Sequence, residues 1–449
     1  MFLELLRIRH FRNLWLGQAL SRIGDAFYFL APLFVIKKLF DDNMMIGLVG
    51  AVEALPYLLF GTLGGALADR IDRKKIMLWT DFISAIWLFG YLTFWIVYPG
   101  DPPKWPFFVF GFVLASVRVF FFPARQASVP RLVPEERLMA ANAISAATDQ
   151  FMWLAGNLCV FLVSSMITNL PPLAFLKVII VVNAASFLAS AYFLYLLPSI
   201  VPERTIKEEE HFFHDVVEGV KYAKTDKVIG LSLLATFGLG LFMSPFFVVY
   251  LSINDAWFGG KMPTLALIEA CFIIGMLSMS YFVPKLKLRR PGLVYSLGLA
   301  IAGVSVFMMG FSPWVIVYGF WNLICGFAIG IVDVPMRTYQ QLKVPDMYRG
   351  RIMSLGQLIW MSVQPLGMLF GGFMTGKLGV VKMHMLMGSG FALTGITPLL
   401  NKEFRDAKLP EGAYDHRPEE ADENPLSNDP REDGEFSEFP QAGVGHVER

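Results

Sequence analysis

The residues of this chain that could do chemistry are charged side chains placed inside long apolar stretches. Arg22 and Asp25 lie three positions apart near the middle of the first such stretch, on one face of a helix. A charge at the middle of a membrane costs roughly 2.5–3.5 kcal/mol, so it needs a partner, water or a function. Asp25 could take up a proton or a cationic group, with Arg22 setting its affinity. The alternative is a structural ion pair that helps the first helix pack.

Arg118, near the middle of the fourth apolar stretch, is a third charged candidate. The sequence predicts that its guanidinium pairs across a helical bundle with Asp25 or Asp149. Such a pair would offset the cost of a buried cation.

Three acids, Glu53, Asp149 and Glu269, fall in the second, fifth and eighth apolar stretches. Each of them could lie on a substrate or proton pathway, act in gating or form a structural pair. Asp333 and Arg337 are four positions apart at the end of the tenth stretch. This spacing predicts a structural pair on one helix.

The composition indicates a membrane protein. Of 449 residues, 55% are hydrophobic and 17% are charged, whereas soluble domains carry about 25% charged residues. Twelve apolar stretches are each long enough to cross a bilayer as a helix. They are residues 14–36, 45–68, 76–97, 105–122, 138–167, 173–197, 228–253, 263–283, 292–311, 314–334, 352–374 and 380–400. The sequence therefore predicts an all-α membrane protein with twelve transmembrane helices.

Several chemistries lack the residues that they would need. The chain has no glycine-rich phosphate loop with its lysine, no nucleophile–base arrangement, and no histidine or cysteine spacing of a metal site. Its three cysteines, Cys159, Cys271 and Cys325, all lie within apolar segments. We therefore expect no enzyme activity, metal, cofactor or nucleic-acid partner.

Lysine and arginine are unevenly divided between the predicted loops. Eighteen of these residues fall on the side that holds the N-terminus and seven on the other side. Basic loops stay in the cytoplasm, so both termini are predicted to be cytoplasmic in a multi-pass protein of the cytoplasmic membrane.

The two halves of the chain repeat with an offset of about 212 positions. Pro32 recurs as Pro245, and the Pro123-Ala-Arg125 run recurs as Pro335-Met-Arg337. Two six-helix halves in the same orientation indicate a transporter with a central site. The predicted organisation is a first half at 1–197, a linker with an amphipathic helix at 198–227, a second half at 228–400 and a tail at 401–449.

The tail is strongly acidic. From residue 401 onward there are 14 acids and 6 bases, which leaves the tail at −8 and the rest of the chain at +9. Few aliphatic residues accompany these charges, so the tail is predicted to be disordered.

One short loop carries a specific resemblance. It reads Gly65-Ala-Leu-Ala-Asp69-Arg70-Ile-Asp72-Arg73-Lys74-Lys75 and resembles the signature loop between helices two and three of the major facilitator superfamily of transporters. That family usually has glycine where this chain has Asp72.

The resemblance implies roles for residues of this loop. In the family, the acid at the place of Asp69 is held by the neighbouring half, near the start of helix eleven, in the state closed to the cytoplasm. The candidates for a conformational switch are Gly65, Asp69, Arg70, Arg73 and Lys74. The alternative is that the loop is only a topology signal. The family's cavity is lined by spans one, four, seven and ten, which favours Arg22, Asp25 and Arg118 as pathway residues. Its spans two, five and eight form the interface between the halves, which favours gating or structural pairing over substrate contact for Glu53, Asp149 and Glu269.

Other stretches resemble the macrolide-efflux and enterobactin-exporter type of drug antiporter. One runs from Phe122-Pro-Ala-Arg125 to Ala141-Asn-Ala143. The fifth span departs from this type, because Gly156-Asn-Leu-Cys-Val160 lacks the proline and later glycines of a G-P-x-x-x-G-like run. The eleventh span has such a run at 365–372.

Together these features predict a monomeric secondary transporter that exports a hydrophobic or amphipathic small molecule. The proton is the predicted coupling ion, and its gradient would drive the export. Uptake or lysolipid-type translocation by the same fold remains an alternative. A membrane sensor or adaptor without transport activity, acting through its acidic tail, is another.

Overall fold

The computed structural model describes residues 2–98, 100–166, 170–202, 212–286 and 288–409, and the regular elements in these ranges are all helical. The predicted disordered tail, from residue 410 onward, and the acidic run 208–210 of the linker lie outside them. The helices are α1 Phe2–Arg7, α2 Arg9–Phe40, α3 Asn43–Ala68, α4 Arg73–Val97, α5 Trp105–Arg118, α6 Phe121–Leu132, α7 Glu135–Met166, α8 Pro172–Tyr195, α9 Phe212–Thr225, α10 Lys227–Met243, α11 Phe246–Trp257, α12 Met262–Phe282, α13 Pro291–Met309, α14 Val315–Lys343, α15 Asp346–Leu399 and α16 Lys402–Asp406. A 3₁₀ turn, Val283–Leu286, follows α12.

Within the described residues, eleven helical segments are long and apolar enough to cross a membrane. This confirms the predicted all-α membrane protein. Two of the segments combine consecutive helices, Trp105–Leu132 and Lys227–Trp257, and one covers most of α15.

Helix α15 reverses direction at Gly379, whose φ of 75° and ψ of 167° are not helical. Only glycine adopts such a conformation without strain. The segment that contains α10 runs parallel to the part of α15 before Gly379, because Gly240 contacts Val363 and, four residues further along both segments, Ser244 contacts Gly367. It runs antiparallel to the part after Gly379, because Gly238 contacts Thr394 whereas Phe242, further along α10, contacts the earlier residue Gly390. The two parts of α15 therefore run antiparallel to each other, and both pack against α10.

Two predicted spans are broken into two helices each. The fourth span was expected as one helix over 105–122, but α5 ends at Arg118 and α6 begins at Phe121. The seventh breaks between Met243 and Phe246, where Pro245 has no amide hydrogen to continue the hydrogen-bond ladder. Conversely, α14 continues to Lys343, well beyond the predicted end at 334.

The linker helix α9 packs against the start of α15, where the rings of Tyr222 and Tyr348 stack with centroids 4.8 Å apart. Its buried face is formed by Gly219 and Ala223, whereas Val220 is exposed. The predicted linker 198–227 thus contains a helix, one face of which is buried. An added Cβ at Gly219 would stand 3.3 Å from the carbonyl of Arg351, so the lack of a side chain there lets α9 approach α15 closely.

The packed body continues past the predicted boundary at residue 400. Phe404 of α16 is fully buried against α13, where it lies next to Gly292. The amide of Leu409 donates a hydrogen bond of 2.9 Å to the carbonyl of Arg289. The body therefore extends to Leu409, because a buried phenylalanine and a backbone hydrogen bond hold this segment in place.

Asp72 caps the N-terminus of α4 and ties it to the chain after α8. Its carboxylate accepts hydrogen bonds from the amide of Lys74 at 3.0 Å, the amide of Ile200 at 2.9 Å and the hydroxyl of Ser199 at 2.7 Å. Burial favours the neutral acid, but these hydrogen bonds outweigh burial and lower the pKa of Asp72. A glycine, usual in the resembled loop, could accept none of these bonds through a side chain.

We expect Asp72→Asn to be less stable than the wild-type protein at pH 7, and the difference to shrink as the pH falls. A carboxyl whose pKa is lowered by folding contributes stability above its unfolded pKa of about 4, and the contribution is lost as the pH falls through the folded pKa. Asp72→Ala, which also removes the cap, should lose about 1 kcal/mol at pH 7. Thermal unfolding in detergent from pH 3 to pH 7 measures both effects.

The control for this series is Asp101→Asn, because Asp101 lies in an exposed loop. Parallel stability curves for wild-type protein and Asp72→Asn over the whole pH range would contradict the assigned role of the ionised carboxylate.

Candidate functional site

A cavity of about 540 Å³ lies between the two halves of the bundle. Its walls come from α2, α3, α5, α6 and α7 of the first half and from α11 and α15 of the second. The polar side chains that line it are Gln18, Ser21, Arg22, Asp25, Glu53, Arg118, Arg125, Gln357 and Gln364. Large aromatic and sulfur-containing side chains complete the wall, namely Tyr28, Phe29, Tyr57, Phe121, Phe122, Trp153, Phe247, Trp360, Met361 and Met368.

Arg118 is the last residue of α5 and donates hydrogen bonds to three side chains. The acceptors are Asp81 Oδ1 on α4 at 2.6 Å, Ser21 Oγ on α2 at 3.1 Å and Asp25 Oδ2 on α2 at 3.2 Å. The predicted pairing of Arg118 with Asp25 is therefore present. Asp81, fully buried, is a stronger partner that sequence reasoning missed.

The guanidinium of Arg118 also lies between two aromatic rings. The centroids of Phe121 and Phe187 are both 4.6 Å from its central carbon. An arginine can stack on aromatic faces while its edge forms hydrogen bonds. This arrangement fixes the guanidinium in one place.

Asp149 on α7 is the centre of a second set of ion pairs. Arg125 on α6 donates to both of its oxygens at 2.9 Å, which is the bidentate geometry of strong arginine–carboxylate pairs. Arg22 Nε and Gln18 Nε2, both on α2, donate to Asp149 Oδ1 at 2.9 Å. Asp149 therefore joins three helices of the first half.

The two sets meet through Arg22 and Asp25. A guanidinium nitrogen of Arg22 lies 3.9 Å from Asp25 Oδ2, so the expected local pair exists but is longer than the 2.9 Å contact of Arg22 with Asp149. The connected residues, called the ion network here, are Asp81, Arg118, Asp25, Arg22, Asp149 and Arg125. Three carboxylates balance three guanidiniums, so the ion network is formally neutral.

Glu53 on α3 lines the same cavity outside the ion network. Its side chain lies against Gly111 of α5, where an added Cβ would stand 2.9 Å from Glu53 Cγ. Among the described side chains, none forms an ion pair or hydrogen bond with the Glu53 carboxyl. When ionised, Glu53 adds a negative charge to the cavity that no described cation neutralises.

Glu269 on α12 is buried outside the cavity lining, at the contact between the halves. Its Oε1 accepts a hydrogen bond of 3.2 Å from Trp153 Nε1 on α7, while its buried Oε2 has no partner among the described atoms. The three acids grouped by sequence reasoning thus occupy different places. Asp149 pairs within the first half, Glu53 faces the cavity and Glu269 bridges the halves.

The loop between α3 and α4 is held mainly by bonds to main-chain carbonyls. Arg73 donates to the carbonyls of Ala68 at 3.0 Å and Ala127 at 2.7 Å, and Lys74 donates to that of Leu197 at 2.5 Å. Asp69 is exposed and lies 3.7 Å from Arg73. Among the described side chains, the ion-pair partner of Asp69 is Arg73 rather than a residue at the start of α15.

The other switch candidates of this loop face open space. A Cβ at Gly65 would meet no atom within 4 Å, and Arg70 is exposed. We call the end of the bundle that carries this loop the basic end.

The halves are in contact at the end opposite to the basic end. Lys38 on α2 pairs with Asp255 on α11 at 2.5 Å. Helices α3 and α15 pack closely at Gly47 and Gly372. A Cβ added to Gly47 would stand only 2.9 Å from the Gly372 Cα. A Cβ at Gly61, on α3 nearer the basic end, would meet nothing within 4 Å. The halves therefore approach closely at the end opposite to the basic end, while Gly61 faces open space.

An aromatic contact between the halves forms part of the cavity wall. The Phe29 ring lies edge-on to Phe247 with centroids 4.6 Å apart and to Trp153 at 5.1 Å. These rings belong to α2, α11 and α7, so they join both halves.

Sequence reasoning also missed Arg125 and Gln18. Arg125 was counted among the loop charges because the apolar run ends at Phe122, yet α6 carries it into the bundle and buries it. Asp81 could have been found, because it is an acid inside the third apolar stretch, where any charge needs a partner.

The predicted pair of Asp333 and Arg337 stays a prediction. Both residues lie on α14, but the side chain of Asp333 is outside the described part of the structure.

A membrane-spanning helical bundle whose two halves enclose a polar and aromatic cavity is the architecture of a small-molecule transporter. Residues 14–368 match the Major Facilitator Superfamily, and the chain belongs to this family. It is accordingly a transporter and not an enzyme.

Two relatives and one solved structure illustrate the similarity. The macrolide efflux protein A of Streptococcus pyogenes is 26% identical over 400 residues, covering 87% of this chain and 96% of that protein. The macrolide efflux protein A of Enterococcus faecalis is 25% identical over 322 residues, covering 70% and 96%. The crystal structure of the nucleoside transporter NupG has a TM-score of 0.70 at 11% identity, covering 87% of this chain and 99% of that one; this likeness concerns the fold.

We expect Asp149→Ala to lower the free energy of unfolding by about 3 kcal/mol, because Arg22 and Arg125 would lose their shared carboxylate inside the bundle. Arg22→Gln should cost less, because the bidentate Arg125–Asp149 pair remains. Thermal unfolding of the purified variants in detergent measures the difference. Equal losses for the two variants would contradict the central place given to the Arg125 pair.

Proposed function

We propose that this protein exports a small hydrophobic or amphipathic molecule across the cytoplasmic membrane by alternating access, in exchange for protons. The observation that carries the proposal is the cavity between the halves, which combines aromatic walls with the carboxyl of Glu53, a group that no described side chain pairs with. Large apolar walls with a few polar groups suit a hydrophobic or amphipathic ligand. The relatives named as macrolide efflux proteins support export.

We further propose twelve membrane crossings with both termini in the cytoplasm and a monomeric protein. The reversal at Gly379 supports the count, because it divides α15 into two antiparallel helices and so adds one crossing to the eleven apolar segments. The basic end carries most of the loop lysines and arginines, which supports a cytoplasmic position for that end. With this orientation, the cavity opens to the cytoplasm, where an exporter takes up its substrate.

Glu53 is the proposed coupling group, and Asp25 is proposed to position its arginine partners. Asp25 lies 3.2 Å from Arg118 and 3.9 Å from Arg22, so its negative charge is compensated. Ionised Glu53 would be an unbalanced anion inside the membrane, which costs free energy. A proton, or the positive group of a substrate, removes that cost. We therefore propose that Glu53 exchanges a proton for substrate while Asp25 holds Arg118 and Arg22 in place.

The switch residues remain part of the proposal. When the basic end closes, the exposed carboxylate of Asp69 would move from Arg73 to the N-terminus of α15, where a helix dipole favours an anion. Glu269 and Trp153 would act at the contact between the halves during the same motion.

We expect Glu53→Gln to reduce substrate-driven proton flux at least tenfold, because an amide cannot bind and release a proton. Exchange of labelled substrate across the membrane, without net proton movement, should persist. The assay uses proteoliposomes with an imposed pH gradient and an internal pH dye. Lipophilic cations, macrolides, siderophore-like chelates and lysolipids are added one at a time.

Glu403→Gln is the matched control, because Glu403 is an exposed acid on α16 outside the cavity. Asp25→Asn should lower both proton flux and substrate exchange, since Arg118 loses one of its carboxylates. Unchanged coupling in Glu53→Gln would contradict the role given to that residue, and unchanged transport in Asp25→Asn would contradict the role given to Asp25.

Uptake or lysolipid-type translocation would give the opposite sign of flux or a response to lysolipids alone in the same assay. A sensor or adaptor acting through the acidic tail would be silent in that assay. Its tail should be removed after Leu409 rather than after Lys402, because the buried Phe404 belongs to the body. A transporter keeps its flux in this truncated form.

A further inference from the structure

A second cavity, of about 660 Å³, opens on the outer surface of the first half between α3, α4 and α5. Phe60 and Leu67 of α3, Trp79 and Ile83 of α4, and Val117 of α5 are among its lining residues. Trp79 is 56% exposed and Ile83 is 44% exposed, so the groove faces outward and not toward the central cavity. Its described lining is apolar or hydroxyl-bearing apart from Lys75.

Lys75 differs from its basic neighbours in the same loop. Arg73 and Lys74 are held by main-chain carbonyls, whereas Lys75 is exposed and makes no ion pair or hydrogen bond with a described residue. Its electrostatic neighbour is Asp72, whose carboxylate already accepts hydrogen bonds from Ser199, Ile200 and Lys74. The ammonium group of Lys75 is thus available at the mouth of the groove.

The position of Lys75 is not explained by helix stability. It lies in the first turn of α4, where the helix dipole disfavours a cation. A cation placed against the dipole, at the mouth of an apolar groove, is suited to an anion that approaches from outside the protein.

The length of the groove fits one leaflet of a bilayer. Lys75 and Ile83 are separated by eight positions on α4, which is about 12 Å along a helix. One leaflet is half of a hydrocarbon core of about 30 Å, and its thickness is similar to this length. A lipid whose headgroup lies at Lys75 would place its acyl chain along Trp79 and Ile83, toward the middle of the membrane.

We propose that this groove binds one anionic phospholipid from the leaflet at the basic end, with its phosphate on Lys75 and its acyl chain between α3, α4 and α5. The choice of an anionic lipid follows from charge complementarity, because one basic side chain near a membrane surface contributes about fivefold in affinity for acidic lipid.

Trp79 provides the probe for this site. The full-length protein is reconstituted in nanodiscs of phosphatidylcholine that contain increasing amounts of phosphatidylglycerol or phosphatidylcholine with brominated acyl chains. Bromine quenches a tryptophan that it contacts, and the signal of Trp79 is obtained by subtracting the same titration of Trp79→Phe. We expect brominated phosphatidylglycerol to quench Trp79 at about fivefold lower mole fraction than brominated phosphatidylcholine.

Lys75→Gln should abolish this preference while leaving the fluorescence spectrum intact. Lys343→Gln is the matched control, because Lys343 is an exposed lysine at the basic end in the other half. Its removal should leave the preference unchanged.

Equal quenching by the two lipids would overturn the proposal, because the groove would then not select an acidic headgroup. An equal loss of preference in Lys75→Gln and Lys343→Gln would also overturn it, since the attraction would come from the whole basic surface. Both readouts are independent of transport, so they stand whatever the substrate is.

Discussion

Charge balance inside a medium of low polarity is the constraint on which this structure depends. Three arginines enter the first half, and each is matched by a carboxylate within the ion network. These six side chains come from α2, α4, α5, α6 and α7, so neutrality is achieved only when the five helices are assembled. Breaking one buried pair leaves an uncompensated charge at a cost of about 3–5 kcal/mol. The ion network therefore holds these five helices together.

The ion pair that joins the halves at the end opposite to the basic end is weaker than those of the ion network. The Lys38–Asp255 pair is partly exposed, and such ion pairs contribute about 0–1 kcal/mol. Inside the second half there are uncharged polar pairs, such as Tyr250 with Asn322 at 2.7 Å and Tyr318 with His384 at 2.9 Å. Opening the Lys38–Asp255 contact would therefore cost less than breaking a buried pair of the ion network.

The all-helical membrane fold was predictable from the sequence because the length of an apolar stretch depends on local composition. The site was predictable only in part, because its contacts join residues distant in the chain. The spacing of Arg22 and Asp25 predicts a local pair, yet the shorter contact of Arg22 is with Asp149. Arg125 lies beyond the end of the apolar run and resembles a loop charge, yet it lies on α6 and is buried. Local spacing finds candidate charges, and tertiary packing selects their partners.

The incomplete glycine and proline run of the fifth span can be understood from what one glycine does. Gly156 faces Ala26 of α2, where an added Cβ would also stand 3.1 Å from the carbonyl of Ile23. It therefore keeps α7 close to α2, the helix that carries Arg22 and Asp25, and this closeness lets Arg22 reach Asp149. In the eleventh span, Gly367 lies against Ser244 and Gly371 against Pro245, at the break of the seventh span, whereas Gly372 lies against α3. Close packing is retained in both halves, and the fifth span differs in lacking the proline that would bend it.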